Sequence, residues 1–249
     1  RAEYYFNRGD AGSAESEMGK CSDLSYDMDW LHHEMALVYS ARNMPAAAMK
    51  EFEMARALFP NSVERRNNLA NSYMENGRHG DALREFQEAV KLDPHDSAVH
   101  HNLGNLYVFL GRKDDALREY SLAGAGYYGL SESRYASARL LAGRNEFDAA
   151  LKIYSELLSL SPSDPNAFNE MGLVYLKKGD NAQALACFNR AVSTVPCFSP
   201  AWLNIGNAYF GSGKLDDAMR CYKKAADCDP ASAEAYYNMG VVYYHRKDF

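Results

Sequence analysis

Asparagine is the residue whose placement in this chain most suggests chemistry. It stands at Asn68, Asn102, Asn204 and Asn238, and three positions further on at Asn71, Asn105 and Asn207. Successive members of each series lie 34 residues, or three times 34, apart. A carboxamide carries two N–H donors and a carbonyl acceptor, so it can pair with the peptide bond of an extended ligand whatever side chains that ligand bears. Each such bond contributes about 0.5–1.5 kcal/mol net, so a ladder of them gives modest affinity until side-chain pockets add to it. His101, Tyr135 and Tyr237 fall in the neighbouring register, and Arg139 falls where Asn105 and Asn207 fall. Two readings of the amides stay open: binding a ligand, or bonding from one repeat to the next. Arg139 likewise either anchors an acidic group of a partner or pairs with a nearby carboxylate.

Little else could carry a reaction. There is no Gly-rich phosphate loop, no GxSxG, no HExxH and no Cys/His spacing of a metal site. The adjacent pairs His32-His33 and His100-His101 point about 100° apart on a helix, so neither makes a two-ligand face. His32 and His100 occupy the repeat position of Trp202 and read as structural. The expectation is a non-enzyme with no metal and no cofactor.

The elements that must hold these residues follow from the same period. Pro60, Pro94, Pro162, Pro196 and Pro230 are separated by 34 or twice 34. A small residue recurs at Ala36, Ala70, Gly104, Ala138, Gly172, Gly206 and Gly240, and another at Ala48, Ala82, Ala116, Ala150, Ala184 and Ala218. An aromatic follows four residues after each of the second set, from Phe52 to Tyr222. A fixed period of this size means stacked supersecondary units. In residues 199–232, Trp202, Ile205, Gly206 and Tyr209 have the spacing of an amphipathic helix, and Ala218, Tyr222 and Ala225 repeat it. Ser199-Pro200 predicts an N-cap and first turn, and Gly213 and Pro230 close the two helices. Gly206, Ala218 and Ala225 predict close approach of two backbones. Each unit is thus a hairpin of a helix A and a helix B, and hairpins must stack to bury both faces.

The run Trp202-x2-Ile205-Gly206-x2-Tyr209…Ala218-x3-Tyr222…Pro230 resembles the tetratricopeptide repeat (TPR) signature, and the likeness covers the whole chain. It implies an all-α, right-handed superhelical solenoid of antiparallel helix-turn-helix units: 29–62, 63–96, 97–130, 131–164, 165–198 and 199–232, with partial units 1–28 and 233–249. The resemblance places Asn68, Asn71, Asn102, Asn105, Asn204, Asn207, Asn238, His101, Tyr135, Arg139 and Tyr237 on a concave groove lined by A helices. The amide series is similar to that of the repeat arm of O-linked N-acetylglucosamine transferases, although no subtype is assigned. The function implied is a protein-interaction scaffold binding an extended peptide or a partner helix. The alternative is a structural arm, self-associating through array ends or carrying an attached enzyme; the stripe Tyr236, Met239, Gly240 and Tyr243 of an unpaired last helix motivates it.

Two departures stand out. The glycine-rich stretch Gly124-Ala125-Gly126-Tyr127-Tyr128-Gly129 has Tyr128 in place of proline, predicting a shortened helix B before it. The unit 131–164 then breaks the ladder with Ala136 and Arg139, as the next does with Glu170 and Leu173. One partner class is argued against. TPR domains that hold a chaperone's C-terminal carboxylate use a lysine- and arginine-based clamp. Here the matching positions read His33, Asn67, His101, Tyr135, Asn169, Leu203 and Tyr237, without those cations.

Composition sets the remaining bounds. The 249 residues are 47 % hydrophobic and 24 % charged, with net charge -6, which argues against a nucleic-acid surface. No apolar run reaches the roughly 18 residues of a membrane span. Cys21, Cys187, Cys197, Cys221 and Cys228 form no framework spacing and read as reduced small hydrophobes, favouring a reducing, cytoplasmic setting. Register at Tyr5, Gly9 and Ala14 extends the pattern backward to the first residues.

Overall fold

A computed structural model describes residues 28–125 and 131–246, with isolated positions 12, 13, 16, 17 and 20 before them. Cys21, the register at Tyr5, Gly9 and Ala14, and the segment around Tyr128 lie outside the described residues. The described residues form thirteen helices. They are α1 Met28–Ala41, α2 Pro45–Leu58, α3 Val63–Glu75, α4 His79–Leu92, α5 Ser97–Phe109, α6 Lys113–Ala123, α7 Ser131–Gly143, α8 Phe147–Leu160, α9 Pro165–Lys178, α10 Asn181–Thr194, α11 Ser199–Gly211, α12 Leu215–Cys228 and α13 Ala233–Arg246. Odd-numbered helices are the A members of hairpins and even-numbered ones the B members. The chain divides into two compact units, residues 1–133 and 134–249, with the boundary inside α7. Each is a stack of consecutive hairpins in which a B helix also packs on the next A helix.

The turn inside each hairpin is made the same way. Gly77, Gly111, Gly179 and Gly213 take φ between 72° and 86° just past an A helix, and Asn43 and Asn145 stand in for glycine at the same repeat position. That left-handed step is open to glycine and tolerated by asparagine. Between hairpins, an acidic or hydroxyl side chain opens several A helices: Ser62 accepts from Arg65 N, Asp96 from Val99 N and Asp164 from Ala167 N. Ser199 departs from that expectation. Its buried hydroxyl donates to the Ala225 carbonyl at 3.0 Å, and Phe198 occupies the cap position without a side-chain bond. Helix α6 has 11 residues where α2, α4, α8, α10 and α12 have 14, the shortening expected of the glycine stretch after it.

The glycines of α5, α9 and α11 have a more specific cause than backbone approach. A Cβ built on Gly206 would stand 2.5 Å from Tyr222 Cε1, and on Gly172 2.4 Å from Phe188 Cε1. Gly104 meets Tyr120 in the same way, at 2.6 Å. The helix B ring lies flat in the space a methyl would need. Tyr222 and Phe188 are among the largest fully buried side chains, as are Phe86 and Tyr154, whose hairpins carry Ala70 and Ala138 at the glycine position.

His32 and His100 are structural, as their register implied. His100 Nδ1 is 2.6 Å from Glu119 Oε2 and its Nε2 3.0 Å from the Pro94 carbonyl. His32 Nδ1 meets Glu51 Oε2 at 2.6 Å. Arg66 at the same repeat position donates to the Pro60 carbonyl and to Glu85, and the Trp202 indole N–H donates to the Pro196 carbonyl at 2.8 Å. Three residue types thus tie an A helix to the proline that precedes it.

The cysteines require a correction. Cys197, in the loop before α11, and Cys228, at the end of α12, form a disulfide with Cα atoms 5.1 Å apart, closing the base of one hairpin. Cys187 and Cys221 remain free thiols, and burial pushes both up from the usual thiol range. The spacing of 31 residues matches no framework pattern, which is why the sequence did not disclose the bond. Cysteine usage therefore no longer argues for a reducing compartment.

Candidate functional site

The amide series resolves into two jobs. In unit 1, Asn102 Nδ2 donates to Asn67 Oδ1 at 2.9 Å; in unit 2, Asn204 Nδ2 donates to Asn169 Oδ1, also at 2.9 Å. These bonds join successive A helices, α3 to α5 and α9 to α11. The stacking alternative therefore accounts for one donor of each of these asparagines. Asn238 follows suit, reaching Asn207 Oδ1 at 3.3 Å. Asn67 and Asn169, the acceptors, are the members that the spacing argument had not singled out.

Asn105 and Asn207 are built differently. Tyr120 donates its hydroxyl to Asn105 Oδ1 at 2.6 Å, and Tyr222 donates to Asn207 Oδ1 at 2.8 Å. Both asparagines are exposed. The helix B phenol therefore holds each carboxamide by its oxygen and leaves the NH2 group facing outward, ready for an acceptor such as a peptide carbonyl. Asn71 has Phe86 behind it, which carries no hydroxyl; Asn68 and Asn71 are half-buried and make no side-chain hydrogen bond among the described residues. The signal that could have found the pinned pair is tyrosine instead of phenylalanine 15 residues after the asparagine.

The remaining predicted residues are placed as follows. His101 is half-buried in unit 1 with its ring 5.7 Å from that of Tyr120, and burial lowers its pKa, favouring the neutral ring. In unit 2, Tyr135 is committed to the scaffold: its hydroxyl donates to Asp164 Oδ2 at 2.6 Å, and burial together with that carboxylate pushes its pKa far up. Arg139 is paired, its Nε and Nη2 both donating to Glu170 Oε1 at 3.1 and 2.7 Å, yet its side chain stays 60 % exposed. Tyr154 donates to the other oxygen of Glu170 at 3.3 Å, and burial raises this phenol as well. Tyr237 on α13 is 72 % exposed. Where the ladder breaks, a cleft of about 300 Å³ opens in unit 2 between α7 and α9, lined by Arg139, Ala142, Tyr154, Glu170, Leu173, Val174, Leu176 and Lys177.

Among the described residues no group of three or more His, Cys, Asp or Glu side chains is placed to hold a metal ion. No described helix is long and apolar enough to cross a membrane.

Known proteins place this architecture. The model of the TPR repeat matches residues 70–111, 138–179 and 206–245, and that of the tetratricopeptide repeat matches residues 165–194. The chain belongs to the tetratricopeptide repeat family. A TPR protein from Parabacteroides merdae is similar at 17 % identity and TM-score 0.68, over 97 % of this chain and 95 % of that one. The C-terminal part of a TPR repeat-containing protein from Cytophaga hutchinsonii is similar at 14 % identity and TM-score 0.75, over 96 % and 98 %. YrrB, described as a TPR protein with an unusual peptide-binding site, is similar at 21 % identity and TM-score 0.54, over 75 % of this chain and 96 % of that one. At these identities the likeness establishes the fold. No curated protein matches the sequence.

Proposed function

We propose that this chain is a non-enzymatic scaffold that holds an extended peptide or a partner helix against the faces of its A helices. TPR repeat proteins are typically protein-interaction scaffolds, and YrrB is a family member with a peptide-binding site. The observation that carries the reading is the pair of pinned carboxamides. Asn105 and Asn207 spend their oxygens on Tyr120 and Tyr222 and keep exposed N–H donors. Donors fixed in advance lose less freedom on binding than free amides would.

The test is binding of extended peptides from an array to the full chain and to the Asn105→Ala, Asn207→Ala variant. Binding is expected to weaken by about tenfold or more, with a modest fall in melting temperature because Tyr120 and Tyr222 lose their acceptors; circular dichroism of the variant checks that the helices remain. Undiminished affinity in the variant overturns the reading.

A second reading is self-association, or service as an arm for an attached enzyme. It draws on α13, where Tyr236, Tyr237, Tyr243 and Tyr244 are all exposed. Light scattering across a concentration series decides it: a monomer at the highest concentration removes the self-association branch.

A further inference from the structure

We propose that the cleft between α7 and α9 is a specificity pocket for one large apolar side chain of an extended peptide, with an acidic side chain beside it in the peptide sequence. This rests on the groove reading above and names which peptides the face would prefer.

The cleft originates in the residues of α7. At the repeat position of Ala142 the other A helices carry Ser40, Met74, Val108, Leu176, Phe210 and Tyr244. Within unit 2 those neighbours are all bulky, so Ala142 leaves a hole in a row of large side chains. The hole is about 300 Å³. Its walls are Leu173, Val174 and Leu176 with Ala142, and the buried ring of Tyr154 lies beneath. Such a surface favours an aliphatic or aromatic side chain and gives a polar one nothing to bond. The buried phenol of Tyr154 is already turned to Glu170.

Charge at the mouth selects the flank. Arg139 and Lys177 line the cleft with Glu170 as the only carboxylate among its lining residues, so the rim is cationic by one charge. Arg139 spends Nε and Nη2 on one oxygen of Glu170, and its side chain stays 60 % exposed at the mouth of the cleft. Lys177 is exposed and makes no ion pair among the described residues. Two exposed cations facing a single carboxylate complement an acidic neighbour in the ligand.

The test uses fluorescein-labelled peptides with blocked C-termini, titrated against the full chain: Ser-Gly-Leu-Glu-Gly-Ser, the same peptide with Leu replaced by Ser, and the same with Glu replaced by Lys. The Leu–Glu peptide is expected to bind about tenfold tighter than either comparator, with the Glu-over-Lys preference shrinking at high salt. Ala142→Leu, which fills the hole, is expected to erase the Leu-over-Ser preference. Arg139→Gln, which removes the rim cation together with its pair to Glu170, is expected to erase most of the Glu-over-Lys preference, with circular dichroism checking that the helices remain. Equal binding of the three peptides, no binding of any, or preferences that survive both variants overturns the proposal. Asn207→Ala separates this outcome from the groove reading. If it weakens all three peptides alike while the wild type shows no Leu preference, the groove reading stands and the pocket falls. If the preferences hold and Asn207→Ala changes nothing, the pocket stands and the amide reading falls.

Discussion

The hydrogen bond from helix A to the preceding proline carbonyl shows how this array trades one chemistry for another at single residues. In the first unit the donors Arg66 and His100 also meet a glutamate on helix B, Glu85 and Glu119, and His32 at the same repeat position meets Glu51. In the second, the positions equivalent to His100 and Glu119 hold Trp202 and Cys221, both lining one surface cleft. His100–Glu119 and Trp202–Cys221 are thus a polar and an apolar solution at one pair of positions, and exchanging one member alone leaves a largely buried group without its partner. His100→Trp and Glu119→Cys are each expected to cost about 1–3 kcal/mol alone. Together they rebuild the pair seen at 202 and 221, so the double variant should recover about 1 kcal/mol or more of the summed cost. Urea denaturation of the four proteins measures the cycle, and strict additivity refutes it. The glycines allow a companion test. Gly206→Ala sets a methyl 2.5 Å from the Tyr222 ring and should destabilise by about 1–3 kcal/mol. At Gly240 a Cβ meets nothing within 4 Å, so Gly240→Ala should be neutral or stabilising, by up to about 1 kcal/mol from helix propensity. Equal melting shifts at the two sites would contradict the ring-contact explanation.

At the scale of the helix, the disulfide has the clearest energetic consequence. It joins residues 31 apart, at the two ends of the α11–α12 hairpin. Closing a loop of that size in the unfolded chain corresponds to stabilisation on the order of 3 kcal/mol. The Ser199 hydroxyl on the Ala225 carbonyl lies in the same hairpin. Reduction, or Cys197→Ser with Cys228→Ser, should therefore raise hydrogen exchange across 199–228 far more than across 63–92, a hairpin with no disulfide among the described residues. Uniform loosening of both would place the bond's effect elsewhere. The hairpins themselves were legible in the sequence, because a helix has to repeat its apolar face every turn and the array has to repeat the helix. Bonds between side chains were less so. The Asn102–Asn67 link spans 35 residues, one more than the period, and so joins different positions of adjacent units. A search for identical positions passes over it. The cleft was invisible for a related reason. A small residue such as Ala142 reads as ordinary packing until the side chains around it are seen to leave a cleft at its edge.

Taken over the whole molecule, buried tyrosines on both A and B helices govern how the protein meets alkali. Tyr222 is pushed up to about 12, chiefly by burial, and Tyr73 to about 12, by burial and by its hydrogen bond to Glu53. Tyr120, Tyr135 and Tyr154 are raised as well, with burial the leading cause in each. A phenol whose folded pKa exceeds its unfolded value of 10.0 is held neutral by the fold. Its contribution to stability is fully present below pH 10 and is lost as pH rises from there through the folded pKa. Both units carry such residues, so no part of the array is spared. The melting temperature should be flat on approach to pH 10 and fall steadily toward pH 12. Phenolate absorbance should lag behind that of an unfolded chain and then rise together with the loss of helical circular dichroism. Tyr222→Phe keeps the buried ring and removes the ionising group, so it should soften the alkaline fall. The same change leaves the Asn207 carboxamide oxygen only its longer bond from Asn238, and peptide binding at neutral pH should weaken by about fivefold. A variant that resists alkali better and yet binds as tightly as the native chain would show that the tyrosine serves packing alone and that the amide needs no holding.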